Sequence, residues 1–309
     1  MRYDLAVVGY IVRDQISRGA RVHQSLGGPC IYSSLAARAL DASVVAVSRV
    51  GKDFTRRDFA WIARRGIAIK NIRITNSSTT YFSIDYRGTG RTMRVTRRCD
   101  PLSSSDLEGF PATLAVHIGP VLDEVPERLA ISLAKRDCIV SLEAQGYTRR
   151  LSSKGMVNPR RWNNARLLKN IDVMKASENE LRAVAGDNIT PARLSKLGPE
   201  IILLTMGTKG TVLWSRTEGV HRIPAYPTHV RDPTGAGDAL VGAFLVSWIR
   251  TGELLWSCAV GSAVASFVVE SFGPSNFGSL KQIERRAQKI LNETTRTRTL
   301  MKKKLGKSR

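Results

Sequence analysis

The sequence predicts an α/β fold: a doubly wound, mostly parallel β-sheet with helices on both faces, and a small additional β-sheet. Three observations point to it. From residue 114 onward, short apolar runs of strand type alternate with helical segments, the pattern of a parallel sheet covered by helices. In residues 67–96, apolar and polar residues alternate with period two, as in a small sheet with one exposed face. After residue 235, a glycine turn opens a continuously apolar segment, as expected of a buried helix.

The N-terminal third predicts two buried strands and two helices before the period-two segment. Residues 5–8 and 43–50 are short apolar runs of strand type. Between them, a diglycine turn leads into the alanine-rich segment 29–40, which predicts a helix. A second glycine turn, after the second strand, leads into a predicted helix at 55–65.

The rest of the chain alternates strands and helices. The predicted strands are 114–118, 138–142, 172–176 and 201–205, and the predicted helices are 125–135 and 254–269. Ligands of such doubly wound sheets bind at the carboxyl ends of the strands. The functional site is therefore expected at that edge of the sheet.

The chain is strongly basic. Its 309 residues carry a net charge of +22 and give a pI of about 10.5. Residues 296–309 contain seven basic side chains and no acidic one, which predicts a solvated, disordered tail at 294–309. Two interpretations stay open: a cationic surface that attracts anionic substrates such as ATP, or nucleic-acid association. No nucleic-acid recognition motif supports the second.

Cysteine and histidine spacing argues against a zinc site. The four cysteines form no C-x-x-C pair, and the four histidines show no metal-ligand spacing. Unpaired cysteines suit a reducing cytoplasm. No stretch reaches about 18 apolar residues without a charge, and the first apolar run is too short for a signal peptide. A cytoplasmic protein with no membrane association is expected.

The most informative stretch is Asp232-Pro233-Thr234-Gly235-Ala236-Gly237-Asp238, directly before the apolar helix. The first amides of a helix lack intrahelical partners and carry partial positive charge, so such an end binds anions. The two glycines leave room for a phosphoryl group. Asp238 then either accepts a proton from an attacking hydroxyl or merely complements the helix dipole; spacing alone favours neither.

This stretch resembles the D-x-T-G-A-G-D hallmark of the ribokinase-like (PfkB) family of carbohydrate and nucleoside kinases. The resemblance implies that Asp238 is the catalytic base and that Gly235, Ala236 and Gly237 form an anion hole for the transferred phosphoryl group. It also implies a kinase domain at 1–293, whose lid strands lie within 10–25 and 67–98. The P-loop G-x-x-x-x-G-K-[ST] does not occur, which excludes a P-loop kinase.

The resemblance implies a set of acceptor-binding residues. Asp14 takes the place of a hydroxyl-binding aspartate, and Gly27 and Gly28 match the family's G-G motif. The remaining candidates for acceptor contact are Tyr32, where many sugar kinases have Asn, the lid residues Thr80, Phe82 and Tyr86, and Gln145. Arg149 closes a D-x-Q-G-x-x-R-like segment in which Glu143 replaces Asp, and a guanidinium there suits phosphoryl charge. The lid aromatics could instead hold their sheet together, and Arg149 could be a surface cation.

On the donor side, Glu180 matches the acid of the family's N-x-x-E element, although Ser177 stands in place of Asn. One carboxylate acting through water is sufficient for Mg²⁺, but Ser177 and Glu180 also form a capping-box pattern. The other residues that the resemblance assigns to ATP are Thr205, Gly207, Gly210 and Gly273, and those it assigns to a monovalent cation such as K⁺ are Asp232 and Thr234.

Several segments resemble the myo-inositol kinase branch of the family: the diglycine turn without a following Asn, and residues 91–101, 145–149, 175–177 and 232–234. This resemblance implies a polyol acceptor and ATP with Mg²⁺. A nucleoside kinase of the same fold is the alternative, with Phe82 stacked on a base. An alternative of another class is a basic nucleic-acid-binding protein on an inactive kinase fold. Lid sheets of this family often pair, so a homodimer through the lid is also expected.

Overall fold

The computed structural model describes residues 2–87, 90–187, 193 and 196–305, with the backbone alone at residue 87 and from residue 295 onward. The described strands are β1 (Tyr3–Val8), β2 (Val12–Arg18), β3 (Arg21–Gly27), β4 (Val44–Gly51), β5 (Ile67–Thr75), β6 (Tyr81–Arg87), β7 (Gly90–Arg97), β8 (Thr113–Ile118), β9 (Ile139–Glu143), β10 (Arg149–Leu151), β11 (Val157–Pro159), β12 (Val173–Ser177), β13 (Ile201–Thr205), β14 (Thr211–Ser215) and β15 (Gly219–Ile223). The described helices, numbered in chain order, are α1 (Pro29–Arg38), α2 (Arg56–Ala63), α3 (Glu127–Leu133), α4 (Ala165–Leu168), α5 (Glu178–Ala185), α6 (Ala236–Thr251), α7 (Leu254–Val268) and α8 (Leu280–Leu305).

Nine strands form the main sheet, in the order β15-β14-β13-β12-β9-β8-β1-β4-β5. Pairing is parallel from β13 to β5, whereas β14 and β15 join antiparallel. Alternate residues of β1 lie in different cores. Leu5 and Val7 belong to a core that also contains residues of α1, α6, α7 and α8, and Ala6 and Val8 belong to one that also contains residues of α3 and α5. Both faces of the sheet are therefore covered, which confirms the predicted fold class.

A second sheet has the strand order β3-β2-β6-β7 and is called the lid. The prediction that the lid includes residues 67–75 is wrong. That segment is β5, which pairs parallel to β4 at the edge of the main sheet. An edge strand with one covered face shows the same period-two alternation as a lid strand, so the pattern could not separate the two.

Helix boundaries follow local capping chemistry. Helix α2 begins after Thr55, which forms a reciprocal capping box with Asp58. Helix α6 begins after Gly235, whose backbone is left-handed with φ 77°. These signals lie within one helical turn, and the sequence therefore predicted both helix starts to within a residue or two.

The C-terminal helix departs from the expected tail. The segment 294–309 was expected to be disordered, but its backbone continues α8 as far as Leu305, and residues 306–309 lie outside the described ones. No glycine or proline interrupts residues 280–305, and lysine, leucine and methionine favour helix. In the described part of the chain, no helix combines the length and apolar character needed to cross a membrane.

Candidate active site

A cavity of about 700 Å³ opens between the lid and the carboxyl-end edge of the main sheet. Lid strands β2, β6 and β7 cover one end, the start of α6 forms the floor, and α7 with residues 225–230 forms the other end. Most predicted site residues meet here although they come from distant parts of the chain. Those that line the cavity are Asp14, Gly28, Tyr32, Phe82, Gln145, Arg149, Ser177, Glu180, Thr205, Gly207, Gly210, Thr234, Gly235, Ala236, Gly237 and Asp238.

The floor of the cavity is the glycine turn that starts α6. A Cβ on Gly235 would lie 2.3 Å from the Tyr32 ring, and one on Gly237 would lie 2.6 Å from Lys175 Nζ. The two glycines therefore let α1 and β12 approach the turn closely. Ser33 Oγ donates a 2.8 Å hydrogen bond to the Asp238 carbonyl oxygen, which ties α1 to the first turn of α6. Asp238 itself is 8% exposed and faces the cavity beside the turn.

Beneath the turn lies a buried group of ionisable side chains. Lys175 Nζ forms a very short ion pair with Glu143 Oε1. The other carboxylate oxygen of Glu143, Oε2, lies 3.8 Å from His117 Nε2, and His117 Nδ1 lies 3.2 Å from Ser141 Oγ. Lys175 is 5% exposed, and Glu143 and His117 are not exposed at all. Of these, only Lys175 reaches the cavity wall.

Proton affinities in this group are set by burial and by neighbouring charge. Burial raises the pKa of Asp238 well above its ordinary value, the Glu143 carboxylate raises it further, and Lys175 and Arg149 oppose the shift. Burial alone would also raise the pKa of Glu143, but the Lys175 ammonium and His117 more than offset it and hold that pKa below its usual range. Of the two carboxyls, Glu143 is thus held as the anion, and Asp238 is the stronger base.

Arg149 lies between the two ends of the cavity. Its Nη2 donates to Gln145 Oε1 at 2.6 Å and its Nη1 donates to the Val121 carbonyl at 3.1 Å. Both acceptors are neutral, so the charge of the guanidinium stays available to an anion in the cavity. Arg149 is therefore more than a surface cation.

The acceptor end contains Asp14, which is 4% exposed. Gly27 does not line the cavity but lies directly against this carboxylate: a Cβ there would be 1.9 Å from Asp14 Oδ2. Burial raises the pKa of Asp14 to about 7, and Asp232 adds to the shift while Arg91 and Arg149 oppose it. Tyr32 lines the same end, and its hydroxyl has no hydrogen-bond partner among the described residues.

Two lid residues that were predicted to contact the acceptor, Thr80 and Tyr86, form hydrogen bonds to other residues of the protein. Thr80 lies outside the cavity and is fully buried; its Oγ1 accepts a 3.0 Å hydrogen bond from the Cys99 amide. Thr80 immediately precedes β6 and joins it to the end of β7, which is why it cannot reach the acceptor. Tyr86 bonds through its hydroxyl to Thr234 Oγ1 at 3.0 Å, so it fastens the lid to the loop before α6.

At the donor end, Ser177 and Glu180 form the capping box that starts α5, and both also line the cavity. The Ser177 amide donates to Glu180 Oε2 at 2.7 Å. The structural interpretation of this pair is confirmed, and it leaves the carboxylate facing the cavity. One half-buried carboxylate suits Mg²⁺, which keeps several waters and takes its other ligands from phosphates. In the described residues, no three His, Cys, Asp or Glu side chains form a metal cage.

Asp232 and Gly273 lie behind the cavity wall. Asp232 is 1% exposed, and its two oxygens accept hydrogen bonds from the Thr234 amide at 3.0 Å and the Gly273 amide at 3.3 Å. This carboxylate therefore joins the segment after α7 to the glycine turn. A monovalent cation at Asp232 and Thr234 stays a prediction.

Sequence reasoning missed Lys175, His117 and Arg91 as residues of this region. The available signal was a charged residue within an otherwise buried strand, as Lys175 is within β12, since buried charges require partners. Arg91 comes from β7 and lines the acceptor end. No local pattern distinguishes it from its arginine-rich surroundings.

The fold and the cavity define a small-molecule kinase of the ribokinase class. A sequence model of the pfkB family carbohydrate kinases matches residues 1–281. The chain belongs to this PfkB family and is an ATP-dependent carbohydrate kinase.

The proteins that this chain resembles include inositol kinases and a nucleoside kinase. The chain is 30% identical over 306 residues to inositol 3-kinase of Oryza sativa subsp. japonica. This match covers 92% of this chain and 74% of the relative. A pyrophosphate-dependent kinase of the ribokinase family, complexed with a pyrophosphate analog and myo-inositol, superposes with a TM-score of 0.77 at 21% identity, over 92% of this chain and 99% of that one. The nucleoside kinase of Burkholderia thailandensis in complex with inosine superposes with a TM-score of 0.80 at 16% identity, over 93% of this chain and 97% of that one.

Proposed function

We propose that this protein transfers the γ-phosphoryl group of ATP to one hydroxyl of a small polyol similar to myo-inositol. The observation that carries the proposal is the Asp238 carboxyl, which lies inside the cavity next to the open start of α6. A base at that position takes the proton of an incoming hydroxyl, and the amides beside it receive the phosphoryl group.

The proposed reaction is a direct in-line transfer. The acceptor hydroxyls bind Asp14 and Gln145, and Asp238 accepts the proton of the attacking hydroxyl. The amides of the glycine turn and Arg149 stabilise the charge that develops on the transferred group. Mg²⁺, when bound near Glu180, would offset the phosphate charge. No covalent enzyme intermediate is needed.

The polar character of the acceptor end supports a polyol. A cyclitol offers only hydroxyls, and Asp14, Gln145 and the unpaired Tyr32 hydroxyl can each bond to one. A nucleoside acceptor is the second candidate, because Phe82 lines this end and could stack on a base. A homodimer through the lid and a cytoplasmic location belong to the same proposal; the four free cysteines support the latter.

Acceptor-dependent ADP release with a panel of cyclitols, sugars and nucleosides tests the acceptor class. We expect myo-inositol to give the highest kcat/KM. A nucleoside with a higher kcat/KM would replace the polyol by the second candidate. ADP release that no member of the panel stimulates would contradict both.

Acceptor binding is expected to weaken below pH 7. Burial raises the pKa of Asp14 to about 7, so below that pH the carboxyl becomes protonated and loses acceptor capacity for substrate hydroxyls. The KM for the acceptor should rise by up to about tenfold per pH unit as the ionised fraction falls. Titration of Asp238 acts on kcat, so measuring KM and kcat separately from pH 5 to 9 distinguishes the two groups.

Asp14→Asn is the matched control for this pH dependence. Its KM for the acceptor should be high and independent of pH, since the amide does not titrate. A wild-type KM that stays constant between pH 5 and 8 would show that Asp14 does not bind the acceptor as a carboxylate.

A further inference from the structure

Arg286, on the C-terminal helix α8, contacts both walls of the donor end of the cavity. Its Nη1 donates to Ser266 Oγ at 2.8 Å, and its Nη2 lies 2.9 Å from Glu270 Oε1. The guanidinium carbon lies 3.5 Å from the centroid of the Phe267 ring and 4.5 Å from that of Tyr226. One side chain thus contacts four residues on two different segments.

These contacts join the two surfaces that face each other across the donor end. Ser266 and Glu270 belong to the end of α7 and the turn after it, and Tyr226 belongs to the segment that follows β15. Glu270 also accepts a short hydrogen bond from Thr228 Oγ1 on that same segment. Ser266, Tyr226 and Thr228 line the cavity directly. Arg286 therefore holds the gap between the two walls at a defined width.

The chemistry of the gap suits a nucleoside base. Its walls combine apolar side chains, among them Ala265 and Val269, with the hydroxyls of Ser266 and Thr228. Flat apolar walls with a few polar groups bind a planar heterocycle, whereas a pyrophosphate alone gains nothing from them. Arg286 is 17% exposed at its side chain and lies on the far side of the wall, so it acts through these residues.

We propose that Arg286 is a positioning residue that shapes the base-binding gap and so favours a nucleoside triphosphate over a base-free polyphosphate donor. The inference rests on the proposed kinase function. An arginine is suited to this position because its planar group donates to two acceptors while its face lies on an aromatic ring. A lysine would retain the charge but not the paired hydrogen bonds.

The test compares ATP with inorganic tripolyphosphate, which lacks the base, by calorimetric titration of the wild type, Arg286→Met and Arg286→Lys. For Arg286→Met we expect the Kd for ATP to rise roughly tenfold, about the effect of one charged hydrogen bond, and the Kd for tripolyphosphate to stay constant. The Kd of Arg286→Lys for ATP should lie between the values for the wild type and for Arg286→Met. In turnover, the KM for ATP should rise while kcat and the KM for the acceptor are unchanged.

Arg285→Met is the matched control, because Arg285 directly precedes Arg286 on the same helix and its side chain is exposed. Equal weakening of ATP and tripolyphosphate, or an unchanged Kd for ATP, would overturn the proposal. Arg286→Lys provides the same comparison should Arg286→Met fail to fold, as judged by its Tm. A wild-type protein that does not bind ATP would instead contradict the proposed function itself.

Discussion

Asp238→Asn is expected to lose about 10²- to 10⁴-fold in kcat, the usual contribution of a positioned general base. The amide is nearly isosteric with the carboxyl, so the glycine turn and the cavity should keep their shape. ATP binding should persist, because the substitution leaves the donor end of the cavity unchanged. Steady-state kinetics with ATP and the best acceptor measures the first effect, and calorimetric titration of ATP measures the second.

The matched control for this variant is Asp137→Asn, at an exposed aspartate; it should leave kcat and the Kd for ATP unchanged. Wild-type kcat should also fall as the pH is lowered, because burial and Glu143 raise the pKa of Asp238 and the protonated form cannot act as a base. Undiminished turnover in Asp238→Asn would show that Asp238 is not the base.

What the sequence could predict depended on how local the relevant signal is. The strand–helix alternation, the capping box at Ser177 and Glu180, and the glycine turn before Asp238 are all encoded within a few residues, and the structure has each of them. The place of β5 could not be predicted in this way. Alternation of apolar and polar residues with a period of two indicates that one face of a strand is covered, but it does not indicate which sheet the strand joins.

The same limit applies to the site. Lys175 and Glu143 are 32 residues apart in the chain, and they meet because β12 pairs directly with β9, with these two residues in register. Strand order depends on the packing of the whole domain. Their roles became evident only when the sheet placed a cation and a carboxylate beneath the same turn, and Arg286 was missed for the same reason.

Lys175→Met is expected to lower the free energy of unfolding by about 3–5 kcal/mol, because it leaves the Glu143 carboxylate buried without its counter-charge. Chemical denaturation measures this loss. The double variant Lys175→Met/Glu143→Gln removes both charges and should recover most of the stability. We expect a low kcat in both variants, since each lacks the ammonium that lies against Gly237 in the glycine turn.

The pH dependence of stability distinguishes this ion pair from simple packing. In the wild type, Lys175 and His117 hold the pKa of Glu143 below its usual range. The pair therefore stabilises the fold above the unfolded carboxyl pKa of about 4.3, and this contribution falls as the pH drops further. In Lys175→Met, burial acts without the ammonium and raises the pKa of Glu143, so that variant should gain stability as the pH falls from 7 to 5. Parallel stability curves for the two proteins, or a double variant as unstable as Lys175→Met, would mean that the side chain of Lys175 stabilises the fold through its packing rather than its charge.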